Sequence, residues 1–363
     1  MVSGGAMTGV HMYDQFHLVL MVNHACNLRC SYCYTGSKFS RKMPETIATR
    51  AIDRAMQSIR PGGALELGFF GGEPLIEAAM IESLLNSAQE LAANRGIRLS
   101  AGLTTNGTIR TDRAWSIMTR RDVDLAISHD GLPEIHDKHR LAADGSPTSA
   151  QVEKTMADLL RAGRDFRVVM VVRPDTVERL ADGIRYLRSL GVRRIEPSID
   201  VWAFWCRQDI ERLEQSVARC AILWREGLPV HAIEWFDEKV PGLLGMKQPS
   251  TARCGFGAGQ IAVAPSGRLY PCERLIGQDE PGNPSVLAGT ATEGSDFLAY
   301  SAAPHRSHEE CDQCPMQQLC NTTCRCSNVI RSGDPQTPDE LLCVWNQACI
   351  SATASALSAM SRA

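Results

Sequence analysis

The sequence predicts an α/β fold in which six strand–helix units form an open, TIM-like (β/α)6 partial barrel, followed by a cysteine-rich C-terminal domain. Two observations predict this arrangement. Strand and helix patterns alternate along residues 16–226, and nine of the 14 cysteines lie beyond residue 253. Six units are too few to close an eight-stranded barrel, but ligands in such folds bind at the carboxyl ends of the strands.

Each predicted strand is a short apolar run rich in Val, Ile and Leu, and each predicted helix has apolar residues at helical spacing. The predicted strands are 16–22, 65–70, 98–103, 123–128, 167–172 and 192–199. The predicted helices are 44–59, 75–93, 112–120, 149–162, 175–190 and 209–226. A β-hairpin is predicted over 261–264 and 269–271, at the start of the cysteine-rich part.

Composition narrows the classes of function. The chain has 363 residues, 44% of them hydrophobic, and a net charge of -3, which is typical of a globular protein of two or three domains. It has no basic stripe for nucleic acid, no apolar run of membrane-spanning length and no signal-peptide pattern at its start. We therefore expect a cytoplasmic protein without nucleic-acid or membrane partners. In a reducing compartment its cysteines are better interpreted as metal ligands than as disulfides.

A loop with three cysteines follows the first predicted strand. Cys26, Cys30 and Cys33 are separated by three and two residues. Iron–sulfur cubanes normally take four thiolates, so three would leave one iron open to an exchangeable ligand. A structural zinc site is the alternative, but it prefers four Cys or His ligands in two pairs, and only His24 is near enough in sequence to complete it.

A second motif, Gly71-Gly72-Glu73-Pro74, lies between the second predicted strand and its helix. Two glycines allow the backbone to approach a ligand closely, and a carboxylate beside backbone carbonyls suits an ammonium group. Alone, this motif could be an ordinary strand-to-helix turn. Its position about forty residues after the cysteine loop strengthens the functional interpretation.

The segment from His24 to Tyr34, together with the Gly-Gly-Glu-Pro motif, resembles the activating site of radical S-adenosylmethionine (radical SAM) enzymes. The resemblance implies a [4Fe-4S] cluster held by the three cysteines, with S-adenosylmethionine on its open iron. Ser128, in Ser128-His129-Asp130-Gly131, is expected at the ribose, although a simple turn is an equal alternative. Arg140 is expected at the SAM carboxylate, or in a surface salt bridge. The residues expected to bind this cofactor are Tyr32, Gly71, Gly72, Glu73, Pro74, Asn106, Ser128 and Arg140.

The C-terminal cysteines resemble the seven-cysteine pattern of SPASM domains, which carry two auxiliary iron–sulfur clusters. Their spacing is Cys254-x12-Gly267-x4-Cys272, then Cys311-x2-Cys314-x5-Cys320-x3-Cys324, then Cys343. A zinc ribbon is the alternative for the Cys311–Cys314 pair alone. The resemblance implies a first auxiliary cluster on Cys254, Cys272 and Cys324, and a second on Cys311, Cys314, Cys320 and Cys343.

The first auxiliary set lacks a fourth cysteine, since residues 255–260, where many relatives supply one, contain none. Either an iron stays open, or Cys326 closes the site. We expect the open or unusually ligated form. Cys206, Cys220 and Cys349 are interpreted as apolar fillers in or beside helices.

The family resemblance implies that a 5′-deoxyadenosyl radical abstracts hydrogen from a ribosomally synthesised peptide or a protein residue. An auxiliary cluster would take a second electron, giving a carbon–carbon or thioether cross-link or another oxidation. Glu273 is the predicted catalytic base. The alternatives are that it supports the neighbouring cluster ligand Cys272 or forms a salt bridge with Arg274. Other hypotheses are an anaerobic sulfatase-maturating enzyme, a small-molecule dehydrogenase and a non-catalytic electron-transfer protein.

The expected partners are a peptide or protein substrate and a reductant such as flavodoxin or ferredoxin. Recognition would use the barrel mouth, a separate peptide-recognition protein or the aromatic cluster at 202–205, which we interpret as core rather than groove. The predicted domain limits are an N-terminal extension (1–15), the barrel (16–235), a linker (236–253), the SPASM domain (254–350) and a tail (351–363).

Overall fold

A computed structural model describes residues 12–246, 255–300, 309–320 and 324–360. Within these residues the strands form one nine-stranded sheet. The strands are β1 Tyr13–Met21, β2 Ile59–Phe70, β3 Arg98–Thr105, β4 Val123–Ser128, β5 Arg167–Val172, β6 Arg194–Ile199, β7 Ala232–Ile233, β8 Gln260–Val263 and β9 Leu269–Tyr270.

Helices connect the strands and cover one face of the sheet, and the last two helices contain the final three cysteines of the chain. The helices of the described residues are α1 Glu45–Gln57, α2 Ala78–Arg95, α3 Asp112–Thr119, α4 Pro133–His139, α5 Ser149–Arg161, α6 Leu180–Ser189, α7 Arg207–Gly227, α8 Glu234–Asp237, α9 Val240–Leu243, α10 Glu309–Asp312, α11 Arg325–Ser332 and α12 Glu340–Met360. Short 3-10 turns lie at Pro74–Glu77, Val177–Arg179, Glu273–Leu275 and Gln317–Leu319.

The strand order is β7-β6-β5-β4-β3-β2-β1-β8-β9, and β1 to β7 are parallel to their neighbours. This confirms the predicted α/β partial barrel. Strand β8 pairs in parallel with β1, with Leu18 opposite Ile261, and β9 returns antiparallel to β8. The hairpin that begins the cysteine-rich part therefore continues the barrel sheet.

Alternating burial explains how the sheet and the helices pack. Leu18 and Leu20 on β1 are fully buried, as are Leu65 and Leu67 on β2, and they join one core cluster with the inner faces of the helices. Helix α2 ends at Gly96, whose left-handed conformation (φ 64°) lets the backbone turn into β3.

The structure adds elements that periodicity did not predict. Helix α4 begins with Pro133 and has few apolar residues, so its sequence lacks a helical stripe. Helix α12 continues to Met360, through the first residues of the segment predicted as a tail, and packs along α7. Among the described helices, none combines the length and apolarity that crossing a membrane requires.

Candidate active site

A cavity of about 340 Å³ opens at the carboxyl ends of the parallel strands. The cysteine loop, the Gly-Gly-Glu-Pro turn and the ends of β3 and β4 form one side of it, and residues after β6 and β9 form the other. All the site residues predicted in the barrel line this cavity, together with Glu273. They are Cys26, Cys30, Tyr32, Cys33, Gly71, Gly72, Glu73, Pro74, Asn106, Ser128 and Arg140.

The cysteine loop is held in place by backbone contacts with the segment after α4. Arg29 N donates to Leu141 O at 2.7 Å, and Ser31 N donates to His139 O at 2.9 Å. Leu28 is buried beneath the loop. These anchors fix the loop while the three cysteines, which form no disulfide, remain at the cavity wall.

The three thiols have different electrostatic environments. Burial raises the pKa of Cys26 to about 11 and also raises the pKa of Cys30. Burial acts in the same direction on Cys33, but Lys38, whose Nζ is 2.9 Å from the Cys33 Sγ, and the Thr35 hydroxyl outweigh it and lower the pKa of Cys33. The Cys33 thiolate is therefore the one that the protein itself stabilises.

His24 does not complete a four-ligand set with these thiols. Its ring is buried and stacks on Phe39 with the ring centroids 4.4 Å apart, and it is not among the residues that line the cavity. Among the described residues, no group of three or more Cys, His, Asp or Glu side chains already converges on a single metal position.

The two glycines of the Gly-Gly-Glu-Pro turn bring two backbone segments together. A Cβ on Gly72 would lie 2.3 Å from Ala25 O, and one on Gly71 would lie 2.7 Å from Asn23 Oδ1. Gly72 N also donates to Asn23 O at 3.0 Å. Packing against the start of the cysteine loop therefore requires glycine at both positions, so the two motifs form one structural unit.

Glu73 is only 1% exposed, and its carboxylate serves as a local acceptor. Oε1 accepts from Leu75 N at 3.0 Å and from Thr105 Oγ1 at 2.8 Å, while Oε2 accepts from Asn106 N at 2.7 Å. Burial raises its pKa to about 7, against these three donors. The side chain thus ties the turn to the end of β3, and the Glu73 carbonyl accepts from Asn23 Nδ2 at 3.1 Å.

Asn106 connects the end of β3 to the cysteine loop. Its Nδ2 donates to Asn27 Oδ1 at 3.0 Å and lies 3.9 Å from Cys26 Sγ. Its Oδ1 accepts from Thr108 N and from the Thr108 hydroxyl. An amide donor is therefore held next to one of the three thiols.

Tyr32, Asp130 and Arg140 form a buried polar group in the cavity wall. The Tyr32 hydroxyl and the Arg140 Nε, at 3.1 Å, both donate to Asp130 Oδ2, and the guanidinium lies over the Tyr32 ring at 5.2 Å. Asp130 Oδ1 accepts from Val171 N at 3.1 Å. Arg140 is 6% exposed. Arg140 therefore does form a salt bridge, but with Asp130 in the buried cavity wall and not at the surface.

Ser128 ends β4 and lines the cavity beside Arg140. It pairs with Val169 of β5, so its backbone belongs to the sheet. The turn interpretation therefore applies to the residues after Ser128, and a contact between its hydroxyl group and a ribose stays a prediction.

Glu273 reaches the same cavity from the C-terminal part of the chain. Its Oε2 accepts from the adjacent Cys272 Sγ at 3.4 Å. Arg274 instead contacts Ser198 Oγ, with Nη2 at 3.4 Å, and among the described ion pairs none joins it to Glu273. The salt-bridge alternative for Glu273 is therefore not realised, and its carboxylate lies between a cysteine and the cavity.

The residues of the aromatic cluster at 202–205, which we interpreted as core, differ in burial. Trp205 is buried, at 5% exposed, but Trp202 is 40% and Phe204 is 85% exposed. Trp202 lines the cavity and stacks on Tyr34 with centroids 4.5 Å apart and planes 2° apart. The core interpretation is wrong for Trp202 and Phe204, because Asp200 caps the loop at its Trp202 N and turns the loop outward after β6.

The described C-terminal cysteines fall into two neighbourhoods. Cys272, Cys324 and Cys326 form one, in which Cys324 and Cys326 Sγ are 3.4 Å apart. In the other, burial raises the pKa of Cys343 to about 11, with further contributions from neighbouring cysteines. The second neighbourhood contains Cys311, Cys314, Cys320 and Cys343. Cys254, a predicted ligand of the first auxiliary cluster, lies outside the described residues.

The three cysteines interpreted as fillers differ in environment. Cys220 and Cys349 are fully buried in the core cluster, as predicted. Cys206 is exposed at the start of α7 and donates to Asp209 Oδ2 at 3.0 Å, so the filler interpretation is wrong there. A cap position before a helix requires a polar contact rather than apolar packing.

Sequence comparison relates this chain to a known superfamily of enzymes. A family model described as the Radical SAM superfamily matches residues 20–217. An uncharacterized protein of Methanocaldococcus jannaschii is 30% identical over 179 residues, which are 49% of this chain and 60% of that protein. A cysteine-type anaerobic sulfatase-maturating enzyme of Clostridium perfringens is 23% identical, covering 85% of this chain and 88% of its own length. A PqqA peptide cyclase of Gluconobacter oxydans is also 23% identical, covering 89% and 88%.

Structural comparison gives the same fold over nearly the whole chain. The solved structure of native anSMEcpe with bound AdoMet and Kp18Cys peptide superimposes with a TM-score of 0.78. The match covers 96% of this chain and 99% of that one at 20% identity. The likeness extends beyond the barrel and includes the cysteine-rich part.

Proposed function

The chain belongs to the radical SAM superfamily, and on that premise we propose that it is an oxidative maturase acting on a residue of a peptide or protein. Members of this superfamily bind S-adenosylmethionine and a [4Fe-4S] cluster, which together supply a hydrogen-abstracting radical. The cysteine spacing after residue 253 leads us to expect two auxiliary clusters of the SPASM type as well.

The residues present fit the superfamily's cofactors. Cys26, Cys30 and Cys33 would hold the cluster, because they are free thiols at one wall of the cavity. Arg140 would bind the carboxylate of S-adenosylmethionine, since only its Nε is engaged by Asp130 and the rest of the fork is available for bidentate bonding. The carbonyls of Gly71 and Gly72 would accept from the ammonium group, because the Glu73 carboxylate is already committed to three donors and its carbonyl accepts from Asn23.

One observation carries the proposal of an oxidation. Glu273 lines the same cavity as the three loop cysteines, and its carboxylate accepts from the Cys272 Sγ at 3.4 Å, so a base in the cavity contacts a predicted cluster ligand. A two-electron oxidation removes a hydrogen atom, then an electron and a proton. Glu273 would take the proton, and the neighbouring auxiliary cluster would take the electron. A non-catalytic electron carrier would need neither the base nor the cavity.

The cavity favours a peptide or protein substrate over a small molecule. Trp202 and Tyr34 stack on each other in the cavity wall, and Phe204, two residues further along the chain, is exposed. Exposed aromatic surface beside a reaction cavity is typical of contacts with larger partners. The names of the full-length relatives, a sulfatase-maturating enzyme and a peptide cyclase, support the same class. A flavodoxin or ferredoxin would supply electrons, and a separate recognition protein would deliver the peptide where the cavity alone does not select it.

The test is intact-mass analysis of short peptides encoded beside the gene after anaerobic co-expression. We expect a loss of two hydrogens per modified residue with the wild-type enzyme and none with Cys30→Ala. Glu273→Gln should reduce the oxidised product, while the matched control Glu280→Gln, at an exposed carboxylate, should leave it unchanged. Retention of full product yield by Glu273→Gln would contradict the assignment of the base.

A second candidate function, formylglycine formation in a sulfatase, is favoured by the full-length match to the sulfatase-maturating relatives. Incubation with a sulfatase-derived peptide that carries Cys or Ser tests it by mass. The family resemblance implies an aspartate at the position of Glu273 in sulfatase-maturating enzymes, so the glutamate here and the absence of a cysteine in residues 255–260 count against it. Formylglycine in the peptide would replace the cross-linking hypothesis and retain the radical SAM assignment.

A further inference from the structure

Cys326 lies among predicted cluster ligands, although the family pattern assigns it no role. It is in the first turn of α11, two residues after Cys324, and it is 3% exposed. Its Sγ is 3.4 Å from the Cys324 Sγ. Ser327, the next residue, donates its hydroxyl to Cys324 Sγ at 3.2 Å.

A third thiol reaches the same place from a distant part of the chain. Cys272, directly after β9, is also buried, and its thiol interacts with that of Cys326. None of these cysteines forms a disulfide. A single disulfide would leave one of three adjacent thiols unpaired, whereas a shared metal centre would use all of them.

The guanidinium group of Arg274 lies near the three thiols. The Arg274 guanidinium is a charge neighbour of Cys272, Cys324 and Cys326. Arg274 also lines the reaction cavity. A fixed positive charge beside several thiolates is what an anionic cluster requires in a buried site.

The chain offers no cysteine where a fourth ligand would otherwise be expected. Residues 255–260 form a tight glycine-rich turn, in which a Cβ on Gly255 would lie 2.3 Å from Ala258 O. Gly257 N donates to Gln260 O at 2.9 Å, and this bond leads the turn into β8. Residues 255–260 therefore form a tight turn and supply no thiolate ligand.

We propose that Cys326 is a ligand of the first auxiliary cluster, together with Cys272 and Cys324. This inference rests on the auxiliary-cluster part of the proposed function and reverses the sequence-based expectation of an open site. The substrate would then be bound by the cavity wall and not by an auxiliary iron. The Trp202 and Tyr34 surface would accordingly determine its position.

The experiment uses the Cys26/Cys30/Cys33→Ala protein, in which all remaining iron belongs to auxiliary sites. Into it we would introduce Cys326→Ala, Cys272→Ala as the positive control and Cys349→Ala as the matched control, since Cys349 is fully buried in the core cluster and belongs to neither predicted ligand set. After anaerobic reconstitution, iron and zinc are quantified and the reduced proteins are examined by electron paramagnetic resonance.

We expect Cys326→Ala and Cys272→Ala to lose up to half of the auxiliary iron and to alter the same resonance signal, while Cys349→Ala matches its parent. A Cys326→Ala protein with the iron content and spectrum of the Cys349→Ala control would overturn the proposal. So would zinc in place of iron at this site, or an intact mass two hydrogens lower from a Cys324–Cys326 disulfide.

Cys326→Ser keeps the test valid if the alanine variant does not fold, because a serine oxygen can still bind iron. We expect it to retain iron and shift the resonance signal, and an unchanged signal would count against ligation. These measurements need no substrate. Failure of the peptide assay with normal iron data would refute the proposed function alone, and altered iron assignments with active maturation would refute the Cys326 inference alone.

Discussion

Replacing Arg140 by glutamine should destabilise the protein by about 3 kcal/mol, because it leaves the buried Asp130 carboxylate without its cation. Loss of one partner of a buried ion pair costs about 3–5 kcal/mol. Asp130 would keep two donors, the Tyr32 hydroxyl and Val171 N, which places the expected loss at the lower end. Urea unfolding of the apo-protein under anaerobic conditions, followed by circular dichroism, measures the change.

Two further variants isolate the charge effect. Arg185→Gln removes one partner of an exposed ion pair with Asp182 and should cost no more than about 0.5 kcal/mol. The double variant Asp130→Asn/Arg140→Gln buries no net charge and should recover part of the lost stability. An Arg140→Gln protein as stable as the Arg185→Gln control would refute the buried ion pair.

The pH dependence gives an independent check. Burial opposes ionisation of Asp130, but Arg140, His136 and the Tyr32 hydroxyl outweigh it and lower the pKa of the carboxyl. Wild-type stability from this group is therefore present above the unfolded pKa of about 3.9 and is lost as the pH falls through the lower folded value. Without Arg140 the folded pKa rises, so the deficit of Arg140→Gln should shrink as the pH falls from about 7 to about 5. A deficit that stays constant over this interval would contradict the electrostatic explanation.

Three further predictions concern the cavity. Trp202→Ala should lower kcat/KM for the peptide about fivefold, because it removes a stacking contact worth about 1 kcal/mol. Phe204→Ala should have a smaller effect in the same mass-based rate assay. Equal losses in the two variants would argue against the aromatic surface at the cavity. Lys38→Ala should shift iodoacetamide alkylation of Cys33 in the apo-protein to higher pH, because Lys38 lowers that pKa, and an unshifted profile would rule out the contact. Burial raises the folded pKa of Glu73 to about 7, so its contribution to stability is present below the unfolded pKa and is lost as the pH rises through 7. Relative to Glu73→Gln, the wild-type free energy of unfolding should fall by roughly 2–3 kcal/mol between pH 5 and pH 8. Parallel stability curves of the two proteins would contradict the raised pKa.

Much of the barrel could be predicted from local patterns. Strands β4 and β5 have the predicted bounds, because each is a short apolar run between polar turns. Helix α4 was missed, since a short polar helix started by Pro133 has no periodic apolar stripe. The pairing of β8 with β1 joins residues more than 200 positions apart, which no local pattern encodes.

The motifs located the site, but contacts decided what each residue does there. Glu73 was expected to face an ammonium group, yet its carboxylate caps a turn and fastens Asn106, which became visible only once β2 and β3 were paired. Trp202 was assigned to the core from its aromatic neighbours, but the loop after β6 turns it toward the cavity.

The sequence by itself determined the chemistry available to this protein: the thiols at family spacing, the glycines of the second motif and the order of strands and helices that brings them to one edge of a parallel sheet. These follow from residue type and short-range spacing. Only the tertiary structure decided that Asp130 holds Arg140, that Glu273 meets the barrel cavity and that Cys326 joins Cys272. Those contacts depend on the packing of segments that are remote in the sequence. This packing decides which side chains meet, and how deeply each is buried decides whether its charged form is favoured.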